Sequence, residues 1–203
     1  MRNSRIPFVK YLIELLIVAF GVFLGIMIST YQNNNRTEKN IKKSIGFIHR
    51  ELKSNSQKLD KAIAYHYKLK SSFDSIKKEL PSDLAMENYY TQQAFRHNKV
   101  PHWTGLGMAS MDNIAFESAK ISGIFQEMDI EEVQAISRAY SYFDSYTKFS
   151  ENLMEKLLAI DSNSKVADII VIFEVLGSDI IITEQRVKEE IDKINSQLEN
   201  INK

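Results

Sequence analysis

One uninterrupted apolar stretch near the amino end, Tyr11–Tyr31, constrains this chain more than any other feature. From Leu15 to Thr30 it carries no ionisable side chain. A helix rises ~1.5 Å per residue, so a stretch of this length covers the ~30 Å hydrocarbon core of a bilayer and satisfies its own backbone hydrogen bonds. The sequence therefore predicts three parts: a basic tail over 1–10, a transmembrane helix over 11–31 and a soluble domain over 32–203.

A cleaved signal peptide is the main alternative to an anchor, because Arg2, Arg5 and Lys10 would form its basic amino-terminal region. The apolar stretch is long for a signal peptide, no small-residue cleavage site follows it, and helical patterning continues beyond Gln32. We therefore expect an uncleaved single-pass membrane anchor, with the lipid bilayer as its partner.

The orientation of this anchor is not decided by the flanking charges, because three cations precede the span and four follow it: Arg36, Lys39, Lys42 and Lys43. Moving a short cationic tail outward opposes the membrane potential, whereas long domains cross largely regardless of charge. We expect a cytoplasmic amino terminus and an extracytoplasmic carboxy-terminal domain.

Composition indicates an all-α fold for the remainder of the chain. The 203 residues include only seven glycines and three prolines, which leaves few positions for tight turns. There is no cysteine, so disulfides, thiol catalysis and thiolate metal sites are excluded. Lysine plus arginine equals aspartate plus glutamate at 26 each, which does not favour a nucleic-acid partner.

A heptad repeat follows the span and predicts a long helix over about 36–80 that ends before Pro81. Spacing alone does not decide whether this seam pairs with a second copy of the chain or with later helices of the same chain. The seam consists of Ile41, Ile45, Ile48, Leu52, Asn55, Leu59, Ala62, His66, Leu69, Phe73, Ile76 and Leu80.

Two seam positions, Asn55 and His66, are polar where apolar residues are expected. Such residues lower stability but fix register and partner number. For His66, a pH sensor or ligand-binding role competes with a loosely packed or edge position in the seam, and we expect the loosely packed or edge position.

Four further helices are predicted, over about 83–97, 110–122, 130–160 and 166–202, with a break near Gly177. A capping box, Asp129 with Glu132, opens the third of them, and Gly123 is a left-handed cap before it. The apolar run Val166–Thr183 contains three carboxylates, which argues against a second span. We expect an N-terminal transmembrane helix continuing into a long heptad-patterned helix, with the later helices packed as a bundle.

The sequence contains no recognisable motif for a catalytic, cofactor-binding or metal site. No P-loop, dinucleotide fingerprint, H-E-x-x-H or nucleophile elbow occurs, and the four histidines lack ligand spacing. Within the span, Gly21, Gly25 and Ser29 repeat every four residues, which lets two helix backbones approach, and Glu14 lies near enough to hydrogen-bond across such a pair. Self-association along the first helix is therefore an open expectation.

Two segments resemble a group of bacterial single-pass membrane proteins of unknown function. One is the span YLIELLIVAFGVFLGIMIST with the charged helix containing RELKSN, although Tyr31 stands where the group usually has tryptophan. The other is NIAFESAKISGIFQEMDIEEVQAISRAYSYFDSY, where Phe116, Gly123 and Tyr140 match. The resemblance implies a helical domain on an anchor in a bacterial inner membrane, so that the extracytoplasmic domain would lie in the periplasm. It implies no activity.

The expected function is that of a non-catalytic interaction or scaffold protein of the cell envelope, which has a protein partner or associates with itself. Two other classes remain open. One is a helical bundle that senses a ligand between its helices. The other is an accessory subunit of an ion-driven membrane complex in which Glu14 is the working carboxylate.

Overall fold

The computed structural model describes residues 5–79, 81–93 and 96–201, and in these ranges the protein is helical with no strand. The predicted all-α fold is confirmed. The α-helices are α1 Arg5–Lys78, α2 Ile114–Ile121, α3 Ile130–Leu158, α4 Val166–Val175 and α5 Ile181–Ile201. Short 3-10 helices occupy Ser82–Met86, His97–Lys99 and Ile124–Gln126, and a π-helical turn, Leu176–Ile180, joins α4 to α5.

Helix α1 unites the predicted span and the predicted seam in one helix of 74 residues, about 110 Å long at 1.5 Å per residue. Its amino-terminal part contains the one stretch among the described residues that is long and apolar enough to cross a membrane, and none of that stretch is buried. Residues 1–4 of the predicted basic tail lie outside the described residues, as does the last seam residue, Leu80.

The seam of α1 packs against helices of the same chain, chiefly α5, which answers the question that its spacing left open. Ser56 Oγ donates to Asp192 Oδ1 at 2.8 Å, and His49 Nε2 lies 3.4 Å from Glu199 Oε1. Residue numbers therefore fall along α1 as they rise along α5, and the two helices are antiparallel. The end of α5 consequently returns toward the apolar part of α1.

Two groups of buried side chains form the core. The proximal cluster, nearer the apolar part of α1, contains Ile45, Ile48, Leu52, Leu59, Ala119, Ile136, Ala139, Tyr140, Phe143, Tyr146, Val187, Ile191, Ile194 and Leu198. The distal cluster contains Leu69, Phe73, Tyr89, Val100, Leu106, Leu153, Val166, Ile169, Ile172, Phe173, Leu176 and Ile180. Each fully buried aliphatic side chain contributes about 1.5–3 kcal/mol relative to exposure.

The described residues do not form the helix predicted over 83–97. The chain there forms a 3-10 helix at Ser82–Met86 and then turns, while residues 94–95 lie outside the described ranges. Two backbone bonds join this segment to the start of α4 and the turn before it: Tyr89 N–H donates to the Ser164 carbonyl at 2.9 Å, and Val166 N–H donates to the Glu87 carbonyl at 3.0 Å. These long-range bonds and short local turns take the place of a continuous run of helical bonds.

The other helix boundaries differ from the predicted ones by a few residues at most. The helix predicted over 110–122 spans 114–121, and that over 130–160 spans 130–158. Gly123 adopts the left-handed conformation, with φ +75°, after α2. Asp129 caps α3 by accepting from Glu131 N–H at 2.9 Å. The π-helical turn lies where the break near Gly177 is predicted, and residue 202 lies outside the described residues.

Candidate functional site: a buried polar layer

Three polar side chains meet inside the bundle and form what we call the polar layer: His66 from α1, Tyr146 from α3 and Glu184 from α5. Each has an exposed fraction of 0%. A buried ionisable pair is costly unless its hydrogen bonds are complete. The layer is therefore the part of the described structure where polar chemistry is most concentrated.

The polar side chains of the layer form hydrogen bonds with one another and with nearby backbone. His66 Nδ1 lies 2.9 Å from Glu184 Oε2, and His66 Nε2 lies 2.7 Å from the Leu106 carbonyl oxygen. The Tyr146 hydroxyl donates to Glu184 Oε1 at 2.8 Å and accepts from Ala109 N–H at 2.8 Å. The layer thus joins three helices and the loop that carries Leu106 and Ala109.

The geometry requires one shared proton between His66 and Glu184. A carbonyl only accepts, so His66 Nε2 must carry hydrogen toward Leu106. The contact between Nδ1 and Oε2 then needs one further hydrogen, on either atom. The pair is either imidazolium with carboxylate or neutral imidazole with carboxylic acid. Both states have no net charge, which is the condition for keeping the pair in the core.

Tyr146 remains protonated and acts as a donor to the layer. Burial raises the pKa of its hydroxyl above the ordinary tyrosine range, and the neighbouring Glu184 raises it further. A second buried tyrosine, Tyr140, behaves in the same way: burial raises its pKa, and its hydroxyl donates to Glu51 Oε1 at 2.6 Å. Both phenols therefore tie α3 to carboxylates on neighbouring helices.

The polar layer lies where the proximal and distal clusters meet. Along α1, His66 follows Leu59 of the proximal cluster and precedes Leu69 of the distal cluster. Along α5 and the π-helical turn, Glu184 lies between Ile180 and Val187. A complete polar layer between two apolar clusters fixes the register of the helices, because a shifted helix would leave its charges unpaired.

The loop that supplies Leu106 and Ala109 is held by Tyr65. The Tyr65 hydroxyl donates to the Gly105 carbonyl at 2.5 Å and accepts from Thr104 N–H at 3.1 Å. Gly107 has φ +72°, and a Cβ built on it would lie 2.1 Å from Tyr65 Cε1. Glycine is therefore required at this position for both backbone conformation and space.

The expectation that His66 occupies a loosely packed or edge position is wrong, because the residue is fully buried and both ring nitrogens have partners. Asn55 is also buried, and its amide pairs with the Asp112 backbone at 2.8 and 3.0 Å. Glu184 was missed by sequence reasoning. A signal existed, since Glu184 occupies the heptad position immediately before Val187.

The residues predicted for helix association are not brought to the polar layer. Gly21 and Gly25 lie in the exposed apolar part of α1, and a Cβ built on either would meet no atom within 4 Å. Ser29 follows on the same helix. Glu14 faces Lys10 one turn earlier, with Oε1 and Nζ 4.0 Å apart.

The loop with the only tryptophan packs at the distal end of the bundle. Trp103 contacts the Phe173 ring edge to face, with centroids 5.4 Å apart, and also contacts His97. The Tyr89 hydroxyl lies 2.6 Å from His97 Nδ1. Burial lowers the pKa of His97 below its ordinary value. Among the described residues, no group of three or more histidine or carboxylate side chains is placed to hold a metal ion.

The fold and the layer together define a class: an all-α bundle, built along one long helix with an exposed apolar end and closed around a buried polar layer. In comparisons with known proteins, no family model, curated protein or solved structure matches the chain.

Proposed function

We propose that this chain is a single-pass membrane protein of the bacterial cell envelope whose bundle acts as a non-catalytic interaction or scaffold module. The observation that carries the proposal is the continuity of α1, whose exposed apolar end runs without a break into the buried seam. A continuous helix transmits the position and tilt of the span directly to the bundle. Such a coupling suits a protein that holds a partner at a set height above a membrane.

The polar layer supports a structural role for the bundle core. His66, Tyr146 and Glu184 are all fully buried, so a substrate could not reach them without opening the fold. Their hydrogen bonds are directed at one another and at loop backbone. This arrangement favours a rigid bundle whose outer faces are the interacting surfaces.

Self-association, where it occurs, is proposed to use the span and not the seam. Ile48 is fully buried against helices of its own chain, so the seam is not available to a second copy. Gly21 and Gly25 remain open on the span. Glycines spaced four residues apart allow close approach of two helices within a bilayer.

A membrane-impermeant amine cross-linker tests both the scaffold role and the proposed periplasmic location of the bundle. Exposed lysines such as Lys53 and Lys148 provide reactive groups. Added to intact spheroplasts, the reagent should trap the full-length chain in species larger than a single chain. A permeant reagent of equal length is the control.

Each outcome of this experiment has a distinct meaning. Larger species formed with the permeant reagent alone would reverse the orientation and leave the scaffold role in place. A chain that stays uncombined with both reagents would contradict the scaffold role.

A further inference from the structure

An open groove lies between α1 and α2, and we call it the α1–α2 groove. Its volume is about 740 Å³. One wall is a stripe of α1 that includes Lys43, Phe47 and Arg50, and the floor is formed by small side chains of α2, among them Ala115 and Ser118. The groove is distinct from the polar layer, which is buried elsewhere in the bundle.

Two cations at the groove lack acidic partners among the described residues. Arg50 lies over the Phe47 ring, with Cζ 4.8 Å from the centroid, and Lys43 Nζ lies 5.8 Å from the same centroid. Neither cation forms an ion pair within the described part of the chain. The groove therefore presents an apolar strip flanked by uncompensated positive charge.

The two carboxylates that line the same groove are already engaged. Glu51 accepts from Ala115 N–H at 2.8 Å and from the Tyr140 hydroxyl at 2.6 Å. Asp112 accepts from Lys58 Nζ at 2.6 Å. These contacts hold α2 against α1, and within the described residues neither carboxylate forms an ion pair with Lys43 or Arg50.

The shape of the groove suits a helix. Its floor is made of alanine and serine side chains, which allow a neighbouring backbone to approach closely. Phe47 and Ile114 are large apolar side chains at its edge, with exposed fractions of 45% and 74%. An amphipathic helix binds in such a groove through apolar residues at i, i+3, i+4 and i+7.

We propose that the α1–α2 groove binds an amphipathic helix of another membrane protein, whose apolar face is flanked by aspartate or glutamate. This inference rests on the proposed scaffold function and specifies the chemistry of its partner. The carboxylates of the partner pair with Lys43 and Arg50, and its apolar side chains cover Phe47 and Ile114. Opposite charges of this kind set orientation and speed association.

Two other occupants fit the groove less well. A second copy packed in parallel on this face would place Lys43 and Arg50 opposite themselves, which is repulsive. A bilayer lipid would have to leave the membrane, because Phe47 lies sixteen residues beyond Tyr31 in α1, about 24 Å along the helix axis.

Ser29 of the span lies on the same face of α1 as Phe47 of the groove. Ser29 precedes Phe47 by eighteen residues in an unbroken helix, which is about five turns at 3.6 residues per turn. A partner helix that crosses the membrane beside this face of α1 therefore meets the groove when it continues about 24 Å beyond the bilayer.

Site-specific photo-cross-linking in intact cells tests the proposal. A photoreactive residue replaces Ser118 in the full-length chain, and the same residue at Ser145, on the exposed face of α3, is the control position. Each adduct is identified by mass spectrometry. The Ser118 probe should join a segment of another protein with the apolar spacing and acidic flanks described above.

Charge variants complete the test. The double variant Lys43→Glu and Arg50→Glu should reduce the adduct at least fivefold. The matched variant Lys53→Glu and Lys148→Glu, which changes two exposed lysines outside the groove, should leave it unchanged. Lys43→Gln with Arg50→Gln should give a smaller loss, and the thermal melt of each purified variant verifies its fold.

Four results would overturn the groove assignment: adducts only with a second copy, adducts only with lipid, no adduct above the Ser145 control, or an adduct insensitive to charge reversal at Lys43 and Arg50. The amine cross-linking experiment separates this failure from failure of the proposed function. If the amine reagents trap the chain in larger species and the Ser118 probe gives no adduct, the scaffold role stands and the groove assignment fails.

Discussion

Glu184→Leu should lower the free energy of unfolding by about 3–5 kcal/mol, whereas Glu184→Gln should lower it by no more than about 1 kcal/mol. Leucine removes the acceptor for the Tyr146 hydroxyl and the partner of His66 Nδ1, which leaves this hydroxyl hydrogen and this ring nitrogen buried without partners. Denaturant unfolding of the full-length protein in detergent, followed by circular dichroism, measures the difference.

Glutamine is tolerated because it completes the same hydrogen bonds without a charge. Its carbonyl oxygen accepts from the Tyr146 hydroxyl, and its amide donates to Nδ1 of neutral His66, whose Nε2–H still faces Leu106. Glu189→Leu, at an exposed position on the same helix, is the control and should change stability by less than about 0.5 kcal/mol. A glutamine variant as unstable as the leucine variant would show that the layer depends on its charge.

Gly107→Ala should destabilise the protein by about 2–5 kcal/mol, which combines the cost of a left-handed alanine with that of overpacking. The added methyl would collide with the Tyr65 ring, whose hydroxyl holds the loop at Gly105 and Thr104. Displacing this loop also moves Leu106 away from His66. Thermal unfolding of the full-length protein reports the loss.

The variant Gly123→Ala separates the cost of a left-handed alanine from the cost of overpacking against Tyr65. Gly123 has a similar φ of +75°, but a Cβ there meets no atom within 4 Å. We expect this variant to lose only the conformational part, about 1–2 kcal/mol. Equal losses at Gly107 and Gly123 would mean that the contact with Tyr65 relaxes freely and does not position the loop.

The heptad repeat carried most of the predictive information on the fold. The seam positions from Ile45 to Phe73 are all buried. A period of 3.5 residues specifies which face of a helix is covered. It does not specify the covering element, so the pairing of α1 with α5 became visible only in the three-dimensional contacts.

The segment around 83–97 shows where local patterning fails. Its composition favours a helix, but the chain forms short turns there, and two backbone bonds join it to residues about 75 positions later, as Tyr89 to Ser164 illustrates. Tertiary hydrogen bonds override propensity when a segment closes the end of a bundle. No periodic pattern within the segment reports such a distant partner.

The sequence indicated only one member of the polar layer, His66, as unusual. His66 interrupts an apolar seam, which marks it as unusual, but its burial depends on Glu184, 118 residues away. Tyr146 reads as one more aromatic core residue until its hydroxyl is placed between Ala109 and Glu184. A polar residue in an otherwise apolar seam therefore indicates a hydrogen-bonding partner on another helix.

The central claim is that the exposed apolar end of α1 is fixed in a lipid bilayer. Sedimentation of lysed cells washed with alkaline carbonate tests it most directly. The full-length chain should stay in the membrane pellet and be released by detergent, while a variant with Val18→Lys and Val22→Lys should shift to the supernatant, since each charge costs about 2.5–3.5 kcal/mol within a span. Recovery of the unmodified chain in the carbonate supernatant would contradict the claim.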